Sequence, residues 1–159
     1  MITQELIKEY FDYKDGCLYA KKSRQGVTKG ERAGRIVTNG YRYLNFLGKI
    51  YLEHRIIFLY HHGYLPKVLD HIDTDKTNNK IENLRAATHA QNAANMKTPK
   101  SNTSGIKGVC YDKARDKWSA ELKVENKRYK LGRFKTKEEA AEKVREARIR
   151  LHKEFARHE

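Results

Sequence analysis

Cysteine is nearly absent: the 159 residues hold two, Cys17 and Cys110, and neither has a second cysteine beside it to make a C-x-x-C pair. A disulfide framework and a cysteine zinc site therefore lack support, and both thiols read as buried or neutral, with a bridge between them left open. Long apolar runs are missing too. Nothing approaches the roughly 20 apolar residues of a membrane span, and the start, MITQELIKEYF, lacks the basic flank and apolar stretch of a signal peptide. The chain reads as soluble and cytoplasmic, with no membrane partner. Acidic residues are outnumbered: 20 Asp and Glu stand against 34 Lys and Arg, for a net charge of +14. That excess points to a nucleic-acid partner. The cations are spread along the chain as far as Arg157 and are interleaved with ten tyrosines, as on folded surfaces that follow phosphate and unlike a single disordered arm.

The pattern along the chain predicts two small α+β modules. Leu6, Ile7, Tyr10 and Phe11 recur at helical spacing after Thr3, an N-cap residue, which predicts a helix from Thr3 to Tyr13 that Asp15-Gly16 ends in a turn. Short β-prone segments follow at Cys17 to Lys21, Arg35 to Val37, Tyr41 to Phe46 and Ile50 to Leu52, with hairpin signals at Asn39-Gly40 and Gly48-Lys49. They predict a small antiparallel sheet. Ile56, Ile57, Leu59 and Tyr60 then suit a helix from Glu53 to His62 that stops at Gly63, and Pro66 prevents its resumption. His61-His62 reads as its solvated end. Between Lys67 and Asn79 the chain is polar and turn-rich, a loop of the kind that carries function. Asn83 then reads as the cap of an alanine-rich helix from Leu84 to Met96.

KTPKSNTS, residues 97–104, has the character of a linker, dividing the chain into modules 1–96 and 105–159. Beyond it, Lys107 to Tyr111, Lys117 to Val124 and Arg128 to Phe134 predict three strands, with a turn at Glu125-Asn126-Lys127 between the last two. Thr136 and Glu139 form a capping-box pattern for a helix whose apolar face carries Ala140, Ala141, Val144, Ala147 and Leu151.

Chemistry concentrates in the first module, where Asp70-His71-Ile72-Asp73 is followed by Asn78, Asn79, Asn83 and Asn92. A hard cation such as Mg²⁺ or Mn²⁺ takes oxygen ligands and keeps several waters, so one carboxylate and one amide oxygen suffice if DNA phosphate supplies the rest. Asp70 and Asn92 can provide that pair, and His71, one residue from the ligand, offers an imidazole, the side chain suited in general to take a proton from water near neutral pH. Taken alone, these residues are better explained by a loop carboxylate and an N-capping asparagine. Asp73, Asp75, Asn78 and Asn79 hint at a calcium loop but lack the EF-hand glycine and terminal glutamate, and they read as shaping a turn.

The string YLEHRIIFLYHHGYLPKVLDHIDTDKTNNKIENLRAATHAQNAANM, with GYRYLNFLGKIYLEHR leading into it, resembles the HNH endonuclease family, particularly its phage and intron homing branch. The resemblance implies a ββα-metal nuclease core. In it His71 matches the general base, Asp70 a metal ligand, Asn83 the central asparagine that ties the two motif strands together, and Asn92 the third motif position. Many members carry histidine at that position. Asn92 puts oxygen there instead, consistent with Mg²⁺ or Mn²⁺, while His89 three residues earlier is a rival ligand near the same helix face. Arg55 reads either as a contact to the scissile phosphate or as a surface charge, and His54 either as a member of the site or as a packed residue at the helix start.

The second module, SGIKGVCYDKARDKWSAELKVENKRYKLGRFKTKEEAAEKVREARIRLHKEF, resembles the AP2 domain through G-I-K-G-V, K-W-S-A-E-L, L-G-R-F and T-K-E-E-A-A. The resemblance implies a three-stranded antiparallel sheet plus one helix, with the sheet lying in the major groove of double-stranded DNA. Strand alternation puts Lys117, Ser119, Glu121 and Lys123 on one face and Trp118, Ala120, Leu122 and Val124 on the face that meets the helix. Glu121 suits a cytosine amine, and Lys117, Lys123, Arg128 and Lys130 suit phosphate or guanine. Lys107 and Arg115 complete the candidate DNA contacts.

Together these readings predict a metal-dependent, site-directed DNA endonuclease of the homing type from a phage or mobile element. One catalytic constellation cuts one strand at a time, so the expected state is a monomer or weak dimer, with no protein partner evident. The alternative is a non-catalytic, sequence-specific DNA-binding regulator that keeps the core as a scaffold.

Overall fold

The computed structural model describes residues 2–24, 27–96, 98, 102–124 and 127–152. They form two compact units, residues 1–87 and 88–159, each with its own apolar core.

In the first unit, helix α1 (Gln4–Tyr10) is capped by the Thr3 hydroxyl, which accepts from the Leu6 N–H. It ends three residues before the expected Tyr13. Phe11 leaves the helix to enter the core as the first residue of strand β1 (Phe11–Lys14), which pairs with β2 (Cys17–Ala20). Asp15 and Gly16 both have positive φ, 47° and 78°, the two-residue turn that matches strand twist. A side chain at Gly16 would come within 2.7 Å of the Lys80 backbone nitrogen. This hairpin therefore leans directly on the segment that carries Asn79.

Strands β3 (Arg35–Ile36), β4 (Arg42–Phe46) and β5 (Lys49–Leu52) form an antiparallel sheet in that order. Its second turn lies at Leu47-Gly48, one residue earlier than expected, where both φ values are positive. Helix α2 (Glu53–His62) runs straight on from β5 and stops at Gly63, whose φ is 74° and whose N–H reaches the Leu59 carbonyl. Its Ile56 and Ile57 are buried together with Phe11, Leu18, Leu44 and Phe46.

Two expectations fail in the next stretch. Val68–His71 is strand β6, not loop, and Leu84–Ala87 is strand β7, not helix; the two pair antiparallel. Leu84 is buried in the core, and the ladder to β6 outweighs the helix preference of Ala86 and Ala87, an ordinary case of tertiary contacts overriding a weak local propensity. Asn83 accordingly closes a 3-10 turn, Ile81–Asn83, and caps no helix.

The second unit begins with the cap that sequence had placed at Asn83. Thr88 caps helix α3 (His89–Asn95) in a reciprocal capping box with Gln91. Strands β8 (Val109–Asp112), β9 (Lys117–Val124) and β10 (Lys127–Phe134) make a meander with β9 central, and helix α4 (Lys137–His152) packs on one face. Thr136 and Glu139 form the expected box: the Glu139 N–H reaches the Thr136 hydroxyl at 3.2 Å, and the Glu139 carboxylate accepts from the Thr136 N–H at 3.4 Å. Within the expected linker, Lys97, Pro99, Lys100 and Ser101 lie outside the described residues, as do Glu125 and Asn126 of the expected turn. Ser104 belongs to the folded unit, for its hydroxyl is buried and donates to the Val109 carbonyl at 2.7 Å. Cys17 and Cys110 are both free, and Cys110 is exposed, not buried. No helix among the described residues is long and apolar enough to cross a membrane.

Candidate active site

Strand β6 delivers Asp70 and His71 at its end, 4% and 6% exposed, where the chain turns into the loop of residues 72–83. Asn83 closes that loop. Its side-chain oxygen accepts from the Asp73 N–H at 3.0 Å, and its amide nitrogen donates to the Asp73 carboxylate at 2.9 Å and to the Asn78 carbonyl at 2.8 Å. Burial pushes the Asp73 carboxyl up, but hydrogen bonds from Asn78, Asn83 and the Asp75 N–H outweigh it and hold the group below the usual carboxylate range. Asp73, Asp75 and Asn78 thus shape the turn, as expected from sequence.

Asn79 does more. His71 Nε2 lies 3.0 Å from Asn79 Oδ1, and Asn79 Nδ2 donates to Glu53 Oε2 at 2.9 Å. Glu53 is fully buried and Asn79 is 2% exposed. The other Glu53 oxygen accepts from the Leu18 N–H at 3.4 Å, and Arg42 and Arg32 approach Oε2 at 3.5 and 3.9 Å. Burial raises the Glu53 carboxyl above the usual range against the pull of those donors and charges. The Tyr13 hydroxyl, which accepts from the Ile81 N–H, braces the same loop from the first hairpin.

His54 stands edge-on to the His71 ring, centroids 4.9 Å apart, and Tyr41 packs against both. Burial, with the nearby His71 and Arg55 charges, pushes the His54 pKa down to about 3, so this imidazole is neutral under physiological conditions. Arg55 is half-buried and donates to the Pro66 carbonyl at 3.0 Å, tying α2 to the segment that leads into β6.

Asp70 faces Arg85 across the β6–β7 ladder. Arg85 Nη2 and Nε both reach Asp70 Oδ2, at 2.9 and 3.0 Å. The described residues hold no cluster of three or more His, Cys, Asp or Glu side chains suited to a metal. A carboxylate with an amide oxygen still fits a hard cation that completes its shell with water and phosphate, and it does not fit zinc. Asn92 and His89 lie on α3 of the second unit, Asn92 half-buried and His89 exposed.

Sequence reasoning left out Glu53, Arg85 and Tyr41 and gave Asn79 a turn-shaping role only. The signal for Arg85 was present in its spacing from Asp70 across a hairpin, once residues 84–87 are read as a strand. Glu53 carried a signal of its own, an acidic residue where the helix pattern demands burial.

On the second unit, β9 places Lys117, Glu121 and Lys123 on the sheet face away from α4, and the pairings Arg128 with Lys123 and Lys130 with Glu121 add those two cations to it. Trp118 lies on the opposite face and packs against the core, as alternation predicts. A bulge at Leu131 then shifts the register, so that Arg133 pairs with Ser119 and joins the exposed face. Strict alternation hides Arg133. Glu121 is 3.5 Å from Arg128, and Asp112 is held between Arg115 and Arg133 at 3.2 Å each. Cys110, Ser119, Glu121, Lys130 and Arg133 line a groove of about 330 Å³. Lys107 is elsewhere: its ammonium donates to the Ala93 and Met96 carbonyls, both at 2.9 Å, and clasps the end of α3.

A buried Asp-His pair at the end of a strand-loop-strand unit, followed along the chain by a short helix, is the signature of a ββα nuclease module, and the sheet with one helix behind it is that of an AP2 module. The HNH endonuclease family matches residues 51–94 and the AP2 domain matches residues 104–154. Protein 3.8 of Escherichia phage T7 is 40% identical over 97 residues, covering 60% of this chain and 79% of that protein. An uncharacterized HNH endonuclease of Acanthamoeba polyphaga mimivirus is 32% identical over 106 residues, 65% of this chain and 54% of the relative, so the chain spans about half of that protein's length. No solved structure matches significantly. The chain carries an HNH endonuclease domain and an AP2 domain. The two domains imply DNA as the partner, and the match at 51–94 runs across the division between the two compact units.

Proposed function

We propose that the protein is a metal-dependent, site-directed DNA endonuclease of the homing type, working as a monomer or weak dimer in a phage-infected cell. The observation that carries this reading is the burial of His71 beside Asp70 with one ring nitrogen held by Asn79. A histidine that merely filled space would not need so fixed an orientation. His71 takes a proton from the attacking water, whose oxygen bonds to phosphorus as one bridging P–O bond breaks. By their places in the family motif, Asp70 and Asn92 would hold Mg²⁺ or Mn²⁺, with His89 the rival for the second position. The cation supplies charge stabilisation at the phosphate and leaving oxygen when bound. Asn83 keeps the loop closed behind His71, and His54 and Arg55 support the site from α2. Lys117, Glu121, Lys123, Arg128 and Lys130, with Arg115 from the neighbouring turn, supply sequence recognition and phosphate contacts; Lys107 serves by holding α3.

The pairing of Asp70 with Arg85 favours a second reading, a DNA-binding regulator in which an arginine stands where a cation would. The two are separated by incubating purified protein with supercoiled DNA, including DNA of its own source, in Mg²⁺ and in EDTA. Nicked or linear product that needs the metal and disappears in His71→Ala supports the nuclease. Tight binding on a verified site without cleavage, in Mg²⁺ or Mn²⁺, supports the regulator.

A further inference from the structure

Glu53, Asn79 and His71 form a continuous hydrogen-bonded line from the core to the base. Its direction can be read. Both Glu53 oxygens face donors: the Leu18 N–H on Oε1, and Arg42 and Arg32 around Oε2. A carboxylate so surrounded accepts, so the Asn79 atom 2.9 Å from Oε2 is the amide NH₂. The amide oxygen is thereby turned to His71 Nε2 at 3.0 Å. An amide oxygen only accepts, so that bond requires a proton on Nε2. In neutral imidazole the other nitrogen then carries the lone pair.

We infer that Glu53 and Asn79 are positioning residues that fix His71 as its Nε2–H tautomer, making Nδ1 the atom that takes the proton from water. The inference rests on the reading of His71 as general base. Neither residue touches the reacting atoms. Glu53 sets which way the Asn79 amide faces, and Asn79 sets the tautomer and ring plane, as carboxylate and carbonyl partners do for other functional histidines. The surroundings support the line at each step: the Gly16 turn backs the Asn79–Lys80 backbone, and Tyr13 holds Ile81. No charge needs to cross the line during turnover. Its work is done before substrate arrives.

Glu53→Gln changes the carboxylate to an amide of the same shape, which can donate to Asn79 Oδ1. Asn79 is then able to turn its NH₂ toward His71, favouring a proton on Nδ1 and withdrawing the lone pair. Long-range proton–nitrogen correlation of the ¹⁵N-labelled full chain, above pH 7.5, reads the His71 tautomer directly. The expected result is Nε2–H in the wild-type protein and a shift toward Nδ1–H in Glu53→Gln. On supercoiled DNA with Mg²⁺, kcat is expected to fall about 10- to 100-fold, the range typical of lost general-base help and outer hydrogen-bond partners, with KM within twofold of wild type. Asn79→Ala provides the second test because it leaves Glu53 with its arginines. If Glu53 acts through Asn79, the double variant loses no more kcat than Asn79→Ala alone; losses that multiply overturn the relay. An Nδ1–H wild-type ring, or a Glu53→Gln protein unchanged in both tautomer and kcat, overturns it as well. Should the wild-type protein cleave nothing, the nuclease reading fails while the ring-nitrogen measurement still decides the hydrogen-bond line.

Discussion

Asp70 and Arg85 sit opposite one another in the β6–β7 ladder and share a salt bridge of 2.9 Å, with Asp70 almost fully buried. Breaking a buried pair from one side leaves an uncompensated charge, which costs about 3–5 kcal/mol. Arg85→Ala is expected to lower stability in EDTA by that order and the unfolding midpoint with it, and Mg²⁺ or Mn²⁺ in the millimolar range is expected to restore much of it if Asp70 is a cation ligand. Thermal unfolding with and without the metal checks this; a variant whose midpoint ignores both metals removes Asp70 from the ligand set.

Asn83 makes three hydrogen bonds that close the loop of residues 72–83. Asn83→Ala removes all three of these part-buried hydrogen bonds, each worth about 0.5–1.5 kcal/mol net. Stability in urea should fall by roughly 2–4 kcal/mol, and the Asp73 amide should exchange with solvent much faster. Unchanged exchange at Asp73 would contradict the loop-closing role.

Acid should unfold the first unit earlier than its carboxylates alone demand. His54 titrates at about 3 in the folded protein against an ordinary 6.5, so the unfolded chain binds a proton that the folded one refuses. Stability from this residue is complete above pH 6.5 and is lost as pH falls from 6.5 toward 3, on the order of 5 kcal/mol in total at about 1.4 kcal/mol per pKa unit. His54→Phe, which keeps a ring against Tyr41 and His71, is expected to flatten the urea midpoint between pH 4 and 7. A slope equal to wild type would refute the buried neutral imidazole.

The salt dependence of DNA binding should separate cations on the sheet face from the one that serves the fold. Each lost phosphate contact lowers the slope of log K against log salt by about 0.9. Arg128→Ala, Lys130→Ala and Arg133→Ala are expected to reduce that slope stepwise in fluorescence anisotropy titrations. Lys107→Ala, whose ammonium holds the Ala93 and Met96 carbonyls, is expected to leave the slope alone and to loosen α3 in amide exchange. A slope change for Lys107→Ala equal to that of Lys130→Ala would return it to the DNA surface.

Legibility followed the range of the interaction. The caps at Thr3 and Thr136, the Gly63 stop, the Asp15-Gly16 turn and the two faces of β9 all depend on residues within a few positions of one another, and all are found where the local chemistry places them. The helix expected at 84–96 failed because alanine content was weighed without the partner strand that captures residues 84–87. Arg133 escaped because a single bulged residue reverses the parity of everything after it. For the site, Asp70, His71 and Asn83 were marked by the resemblance to the HNH family, whereas Glu53 showed only as an acidic residue on the apolar face of a helix.

The sequence by itself determined the basic charge, the α+β character, and the turns and caps, because each is a property of composition or of near neighbours. Tertiary structure alone decided that Glu53, at the start of α2, meets Asn79 in the loop beyond β6, and that Leu18 and Arg42 from two different sheets close around the same carboxylate. Those contacts join residues distant in the chain, and nothing local favours one pairing over another. Only a packed core brings the donors close enough to orient a buried acceptor and, through it, the imidazole of His71.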